Sequence, residues 1–111
     1  MRSGGKNKQA GADPTGQPDV SRLDKFLKNV GIVSRRALAQ EACRRGLILV
    51  DGRPAKASTS VRAGNVVEVR LGMSLRRWRV KDIPSRPVAR ASRASYVELM
   101  AEEALEPYNG A

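Results

Sequence analysis

Histidine is absent from this 111-residue chain and cysteine occurs once, at Cys43. No disulfide can therefore form within the chain, and a zinc site of the Cys/His kind has no ligand set. Aromatic residues make up only 4% of the sequence, too few for a platform on which successive bases stack. There is no apolar run long enough to span a bilayer, so no membrane contact is expected. Residues 1–20, rich in Gly, Pro, Asn and Gln, lack the apolar stretch of a signal peptide. They read as a disordered arm, and the expected location is cytoplasmic. Over residues 21–83 the glycines occur singly at stops and turns, which excludes a phosphate-cradling glycine loop there. Carboxylates are sparse as well: Asp24, Glu41, Asp51, Glu68 and Asp82 are scattered among turns, caps and strand faces. Without a convergent base, nucleophile or metal set, neither catalysis nor a cofactor is expected.

What the chain does have is positive charge, and its placement is informative. The net charge is +10, and residues 21–83 carry all of that excess, with 15 basic against 5 acidic residues. A basic tail would be an ordinary solvated segment. Here the charge rides on the periodic segments, which points to a face that binds a polyanion.

Two short amphipathic patterns carry the first basic rows. Leu23, Phe26, Leu27 and Val30 fall at i, i+3, i+4 and i+7, forming one apolar stripe of a helix with Arg22, Lys25 and Lys28 outside it. Ser21 is placed to cap that helix with Asp24 in the capping-box position, and Gly31 to stop it in the left-handed conformation. Ser34 is expected to cap a second helix ending at Gly46. Arg35 and Arg36 would lie in its opening turn, where free N–H groups and the helix dipole favour an anion. Cys43 falls among Ala39 and Ala42 on the apolar side and reads as a small buried hydrophobe.

After Gly46 the period changes. Leu47–Val50 reads as a strand that turns back at Asp51-Gly52, and Pro54 keeps the return strand short. Residues 56–60 read as a surface loop, Ala63-Gly64-Asn65 as a turn, and Val66–Leu71 as the clearest strand. A further strand is expected over Leu75–Val80, with Trp78 serving as a core anchor or as a base-stacking side chain. Residues 84–94 read as a linker. Residues 95–111 read as a short acidic helical tail opened by a capping box at Ser95 and Glu98. The expected fold class is α+β, with two helices packed on a small, mostly antiparallel sheet over residues 21–83.

Two basic helices joined by a Gly-containing turn also describe a helix-turn-helix, with Arg35, Arg36 and Gln40 at a DNA major groove. The second helix offers few other side chains able to read base edges, and the strands that follow are basic too. A folded RNA surface fits that spread of charge better.

RLDKFL at 22–27, SRRALAQE at 34–41, GLILVDGRPAKAS at 46–58 and VRAGNVVEVRLG at 61–72 resemble the S-four RNA-binding domain family, in order and with the family's spacing. Within it the RLDKFLK opening and the SYVELMAEE ending most resemble the bacterial ribosome-associated quality-control branch, RqcP. A neighbouring branch is the S-four heat-shock protein, which recycles obstructed large subunits. The resemblance implies a non-catalytic factor that binds the large ribosomal subunit, its rRNA and peptidyl-tRNA, beside an RqcH-type quality-control factor. There it would hold the tRNA while C-terminal alanine tails are added. It further implies that Arg22 and Arg36 contact rRNA and tRNA. The candidate RNA-binding set is Arg22, Lys25, Arg35 and Arg36 at a primary phosphate site, extended by Lys28, Arg44, Arg45, Arg53 and Lys56. The chain is expected to act as a monomer.

Overall fold

The structure is a computed structural model that describes residues 19–105; the candidate disordered arm and the end of the acidic tail lie outside the described residues, apart from Asp19 and Val20. Strand β1 (Val20–Arg22) leads into helix α1 (Leu23–Asn29), followed by α2 (Arg36–Arg44). Strands β2 (Ile48–Val50), β3 (Arg53–Pro54), β4 (Ser60–Arg62), β5 (Val66–Leu71) and β6 (Ser74–Val80) come next, then a 3₁₀ turn (Arg90–Ser95) and β7 (Val97–Ala104). Among the described residues β1 pairs with β4, and the main antiparallel sheet runs in the order β3-β2-β5-β6-β7. The α+β class with two leading helices is as expected.

The apolar stripe of α1 is the centre of the core. Leu23, Phe26, Leu27 and Val30 are all buried, against Ala39, Ala42 and Cys43 of α2 and Ile48, Val61, Val67, Val69 and Trp78 of the sheets. Side chains of this size contribute about 1.5–3 kcal/mol each on full burial. Trp78 is thus a core residue and not an exposed base-stacking side chain.

The caps differ from expectation. Ser21 Oγ donates to the Arg22 carbonyl and caps nothing, because β1 is committed to the β4 ladder, where Ser21 sits opposite Val61. The first N–H groups of α1 are met from elsewhere: Leu23 N–H donates to the Thr59 carbonyl and Asp24 N–H to that of Ala57. Backbone carbonyls thereby take the place of a side-chain cap. In α2 the cap position falls at Arg35 rather than Ser34, again with no side-chain cap bond.

The turns follow the sequence. Asp51 and Gly52 both have positive φ, 52° and 84°, the two-residue geometry whose twist suits a hairpin, and Val50 pairs with Arg53 across it. The Asp51 side chain contributes as well, since its carboxylate accepts from Val66 N–H and Asn65 Nδ2 and so ties the hairpin to the start of β5.

The C-terminal stretch is a correction. Residues 97–104 form a strand, not a helix, paired along β6 from Val80–Val97 to Ser74–Ala104 with a bulge near Arg77. An isolated helix of about ten residues is marginal, whereas the open edge of β6 offers a ladder together with arginines for the tail's glutamates. Arg76 pairs with Glu102 at 2.7 Å and Arg79 with Glu98 at 2.7 Å. The folded unit therefore extends past residue 83.

Residues 84–94, read as a linker, are held down too. Val88 N–H donates to the Asn29 carbonyl, and Arg93 donates from Nη2 to the Gly31 carbonyl at 3.1 Å. Gly31 has φ 81°, and a Cβ there would stand 3.1 Å from Arg93 Nη2. Gly31→Ala is expected to destabilise the fold by more than about 1 kcal/mol, through backbone strain and displacement of Arg93; a urea melt measures it.

Candidate nucleic-acid interface

Asp24 has no solvent exposure, which for a carboxylate requires partners. It has four. Arg22 reaches it with Nε at 3.1 Å and Nη2 at 3.2 Å, Gln40 with Nε2 at 2.9 Å, Arg36 with Nε at 3.0 Å, and the Lys25 backbone N–H at 2.8 Å. Burial pushes the Asp24 carboxyl upward, but the hydrogen bonds from Arg22, Gln40, Arg36 and Lys25 outweigh it and hold the group well below the usual carboxylate range. The carboxylate is thus a fixed negative post between β1, α1 and α2.

Its consequence lies on the surface. The side chains of Arg22 and Arg36 remain 50% and 46% exposed, so each guanidinium is anchored along one edge and offers its remaining donors outward. Guanidinium geometry suits this, because five donors in a rigid fork can serve a carboxylate and a phosphate oxygen at once. Two residues far apart in sequence become one preorganised pair of anion-binding forks.

Around this pair the structure gathers part of the candidate set. Arg22, Gln40, Arg44 and Lys56 line a pocket of about 260 Å³, with Cys43 at its wall. Arg22 also joins Lys25, Val20 and Ser60 around a neighbouring pocket of about 310 Å³. Arg35 is exposed at the cap of α2. Among the described residues, Lys25, Arg35, Arg53 and Lys56 have no ion-pair partner. Lys28, in the last turn of α1, and Arg53, in β3, line neither pocket. Arg44 and Arg45 both pair with Glu41, so their charge is partly compensated.

The basic strands prove less available than their composition implies. Arg77 pairs with Glu68, and the β7 glutamates cover Arg76 and Arg79. Within the candidate set, the cations left without an ion pair are therefore Lys25 and Lys28 of α1, Arg35 at the cap of α2, Arg53 in β3 and Lys56 in the loop after it. Because the pairs with Glu98 and Glu102 are about half exposed, they add little stability. Glu98→Gln with Glu102→Gln should leave the melting temperature nearly unchanged and yet increase non-specific binding to homopolymeric RNA, with a steeper salt dependence. Filter binding across a salt series checks this.

The sequence pattern points to Asp24 as a capping residue and Gln40 as a base reader, and both assignments fail because these side chains are spent on each other and on the two arginines. A signal was present: Asp24 follows Leu23 and lies three residues before Leu27, at the edge of the apolar stripe, where a carboxylate must find a cation. Cys43 is buried as expected; burial first, then the Asp24 charge, push its thiol up, away from the reactive thiolate. Among the described residues no cluster of His, Cys, Asp or Glu could hold a metal ion, and no helix is long and apolar enough to cross a membrane.

Known proteins share this geometry's sequence frame. Residues 21–67, which contain the whole Asp24 cluster, match the S4 domain, the S-four module. The chain is 38% identical over 64 residues to the RQC P-site tRNA stabilizing factor of Helicobacter pylori, a match covering 58% of this chain and 76% of that protein. The chain belongs to this S4-domain family. It is also 48% identical over 54 residues to the protein of the same name from Halalkalibacterium halodurans, covering 49% of this chain and 61% of that relative's length. Among solved structures, the hypothetical protein HP1423 is similar with a TM-score of 0.64 and 33% identity, over 75% of this chain and 100% of that one. Heat shock protein 15 of Vibrio cholerae superposes with a TM-score of 0.69 at 24% identity, over 74% of this chain and 83% of that one. The last likeness is one of fold. The S4 match ends inside β5, so β6, the 3₁₀ turn and β7 lie beyond it.

Proposed function

We propose that the chain is a non-catalytic RNA clamp that binds the large ribosomal subunit carrying an obstructing peptidyl-tRNA and stabilises that tRNA. The observation that carries this reading is the pair of outward-facing guanidiniums, Arg22 and Arg36, fixed on the buried Asp24. Fixed forks on a folded surface recognise phosphates at a defined spacing, as a folded RNA presents them. The names of the relatives supply the P-site tRNA as substrate. Lys25, Arg35 and Lys56 extend the primary site, with Lys28, Arg44, Arg45 and Arg53 as outlying contacts. An RqcH-type factor is the partner during addition of C-terminal alanine tails, and the compartment is the cytoplasm. A duplex-DNA reading is weakened by Gln40, whose amide is committed to Asp24 and so withdrawn from base reading.

The test is in-cell crosslinking of the tagged chain, with sequencing of attached RNA and identification of co-purifying proteins. Crosslinks to tRNA and to intersubunit large-subunit rRNA, together with RqcH, support the proposal. Large-subunit crosslinks without RqcH would favour the recycling role of the heat-shock branch, and no rRNA or tRNA enrichment would overturn the reading.

A further inference from the structure

A further hollow lies away from the Asp24 cluster and outside the S4 match. It is open to solvent and offers about 620 Å³ between the 3₁₀ turn and the start of β7, within the range of small-molecule sites. Leu99, 43% exposed, gives it an accessible apolar wall backed by the buried Trp78 and Val97, and Lys81, Arg90 and Arg93 contribute three cations. The cavity's one acidic lining residue, Glu98, is paired with Arg79.

Two buried donors in this lining lack acceptors. The indole Nε1–H of Trp78 and the Nε–H of Arg93 are both without a hydrogen-bond partner, although Trp78 is only 8% exposed. Buried donors in a folded protein are ordinarily satisfied; both orphans belong to residues of this lining but are sealed from solvent, so the groups an occupant meets are the cations of the rim and the apolar wall. The surrounding groups are already braced: Lys81 Nζ donates to the Ala94 carbonyl at 2.7 Å, and Arg93 holds the Gly31 carbonyl while its guanidinium lies 6.0 Å from the Trp78 ring centroid. Arg90 has no ion-pair or hydrogen-bond partner among the described residues and is exposed at the mouth.

We infer that this cavity is a second binding site, for a nucleotide. Its base would lie against the apolar wall, and its phosphate would be held by Arg90 and the neighbouring cations. An apolar wall beside a cationic rim matches that ligand's two halves, whereas a bare anion would leave the wall unused. The nucleotide is either free or an unpaired residue of an RNA; the site does not depend on the helical clamp.

Trp78 is the chain's only tryptophan, so its fluorescence reports on this cavity directly. The full-length protein is titrated with adenosine 5′-monophosphate, with inorganic phosphate and with a short unpaired oligoribonucleotide. A saturable emission change is expected with the mononucleotide, the oligonucleotide or both. A response to the mononucleotide identifies a free nucleotide as sufficient, and a response to the oligonucleotide alone identifies an RNA residue. Arg90→Ala should weaken that response about tenfold, the low end for a lost charge-assisted hydrogen bond. Arg36→Ala should leave the response to the mononucleotide in place, which separates this site from the clamp. No response to either nucleotide probe, equal affinity for inorganic phosphate, or a response unchanged in Arg90→Ala would overturn the inference.

Discussion

Asp24→Asn is expected to weaken RNA binding about three- to tenfold even though it makes the protein more positive. Counting charges alone gives the opposite result, because a carboxylate is removed from beside two arginines. In the folded protein, however, Asp24 fixes both guanidiniums before RNA arrives. An asparagine offers one acceptor oxygen where there were two, and turns an amide donor toward arginine donors. Arg22 and Arg36, both about half exposed, would then move into solvent and have to be reordered on binding, at roughly 0.5–1.5 kcal/mol each. The extra positive charge offsets less than about 1 kcal/mol of this at physiological salt, where surface charges are screened. Anisotropy titrations with tRNA decide the sign, and tighter binding by the variant would rule out preorganisation by Asp24.

The same substitution has a stability signature that depends on pH. Because the folded carboxyl lies below its ordinary range, the stabilisation it provides is complete above the unfolded value of about 3.9 and declines as pH falls below it. At neutral pH the variant should lose about 2–3 kcal/mol, as expected for a buried hydrogen-bonded charge disrupted in place. In more acid solution the gap between wild type and variant should close. Urea melts over a pH series measure both.

Arg36→Ala should weaken RNA binding several-fold, on the order of 1 kcal/mol for one phosphate contact, and reduce the slope of log affinity against log salt by about one. It also removes one of the two arginines that balance Asp24, so a loss of binding could be mistaken for a loss of fold. The double variant Asp24→Asn with Arg36→Ala separates the two effects. Its stability loss should fall short of the sum of the single losses, since the arginine deletion no longer leaves a charge underpaired. Its binding should stay at least as weak as that of Arg36→Ala. Lys28→Ala removes the same unit charge from a residue that Asp24 does not anchor and should cost less than Arg36→Ala. Equal losses from the two would mean that a diffuse field, and not a built site, holds the RNA.

Much of the fold was legible because it is written locally. The spacing of Leu23, Phe26, Leu27 and Val30 identified the buried face of α1, and Asp51-Gly52 and Gly31 marked a hairpin and a helix stop through backbone conformations that few residues adopt. Arg22 and Lys25 stand outside the apolar stripe and Arg35 and Arg36 at the start of the second helix, and the structure brings Arg22, Lys25, Arg44 and Lys56 of the candidate set to the two pockets. What failed were statements about partners. Ser21 was a sound cap in isolation, but β4 had a prior claim on its strand. VELMAEEA reads locally as an acidic helix and becomes a strand because β6 presents an open edge with Arg76 and Arg79 along it.

Residue order alone places charge and apolar surface along the chain, and hence a basic, histidine-free domain with two amphipathic helices that suits a polyanion. Which of those charges are free depends on the folded arrangement. It set Glu98 and Glu102 against the arginines of β6, Glu41 against Arg44 and Arg45, and Asp24 between Arg22 and Arg36. The physical reason is that charge interactions act through distance in space, and several of these distances are set by strand register and helix packing, which residue spacing alone does not encode.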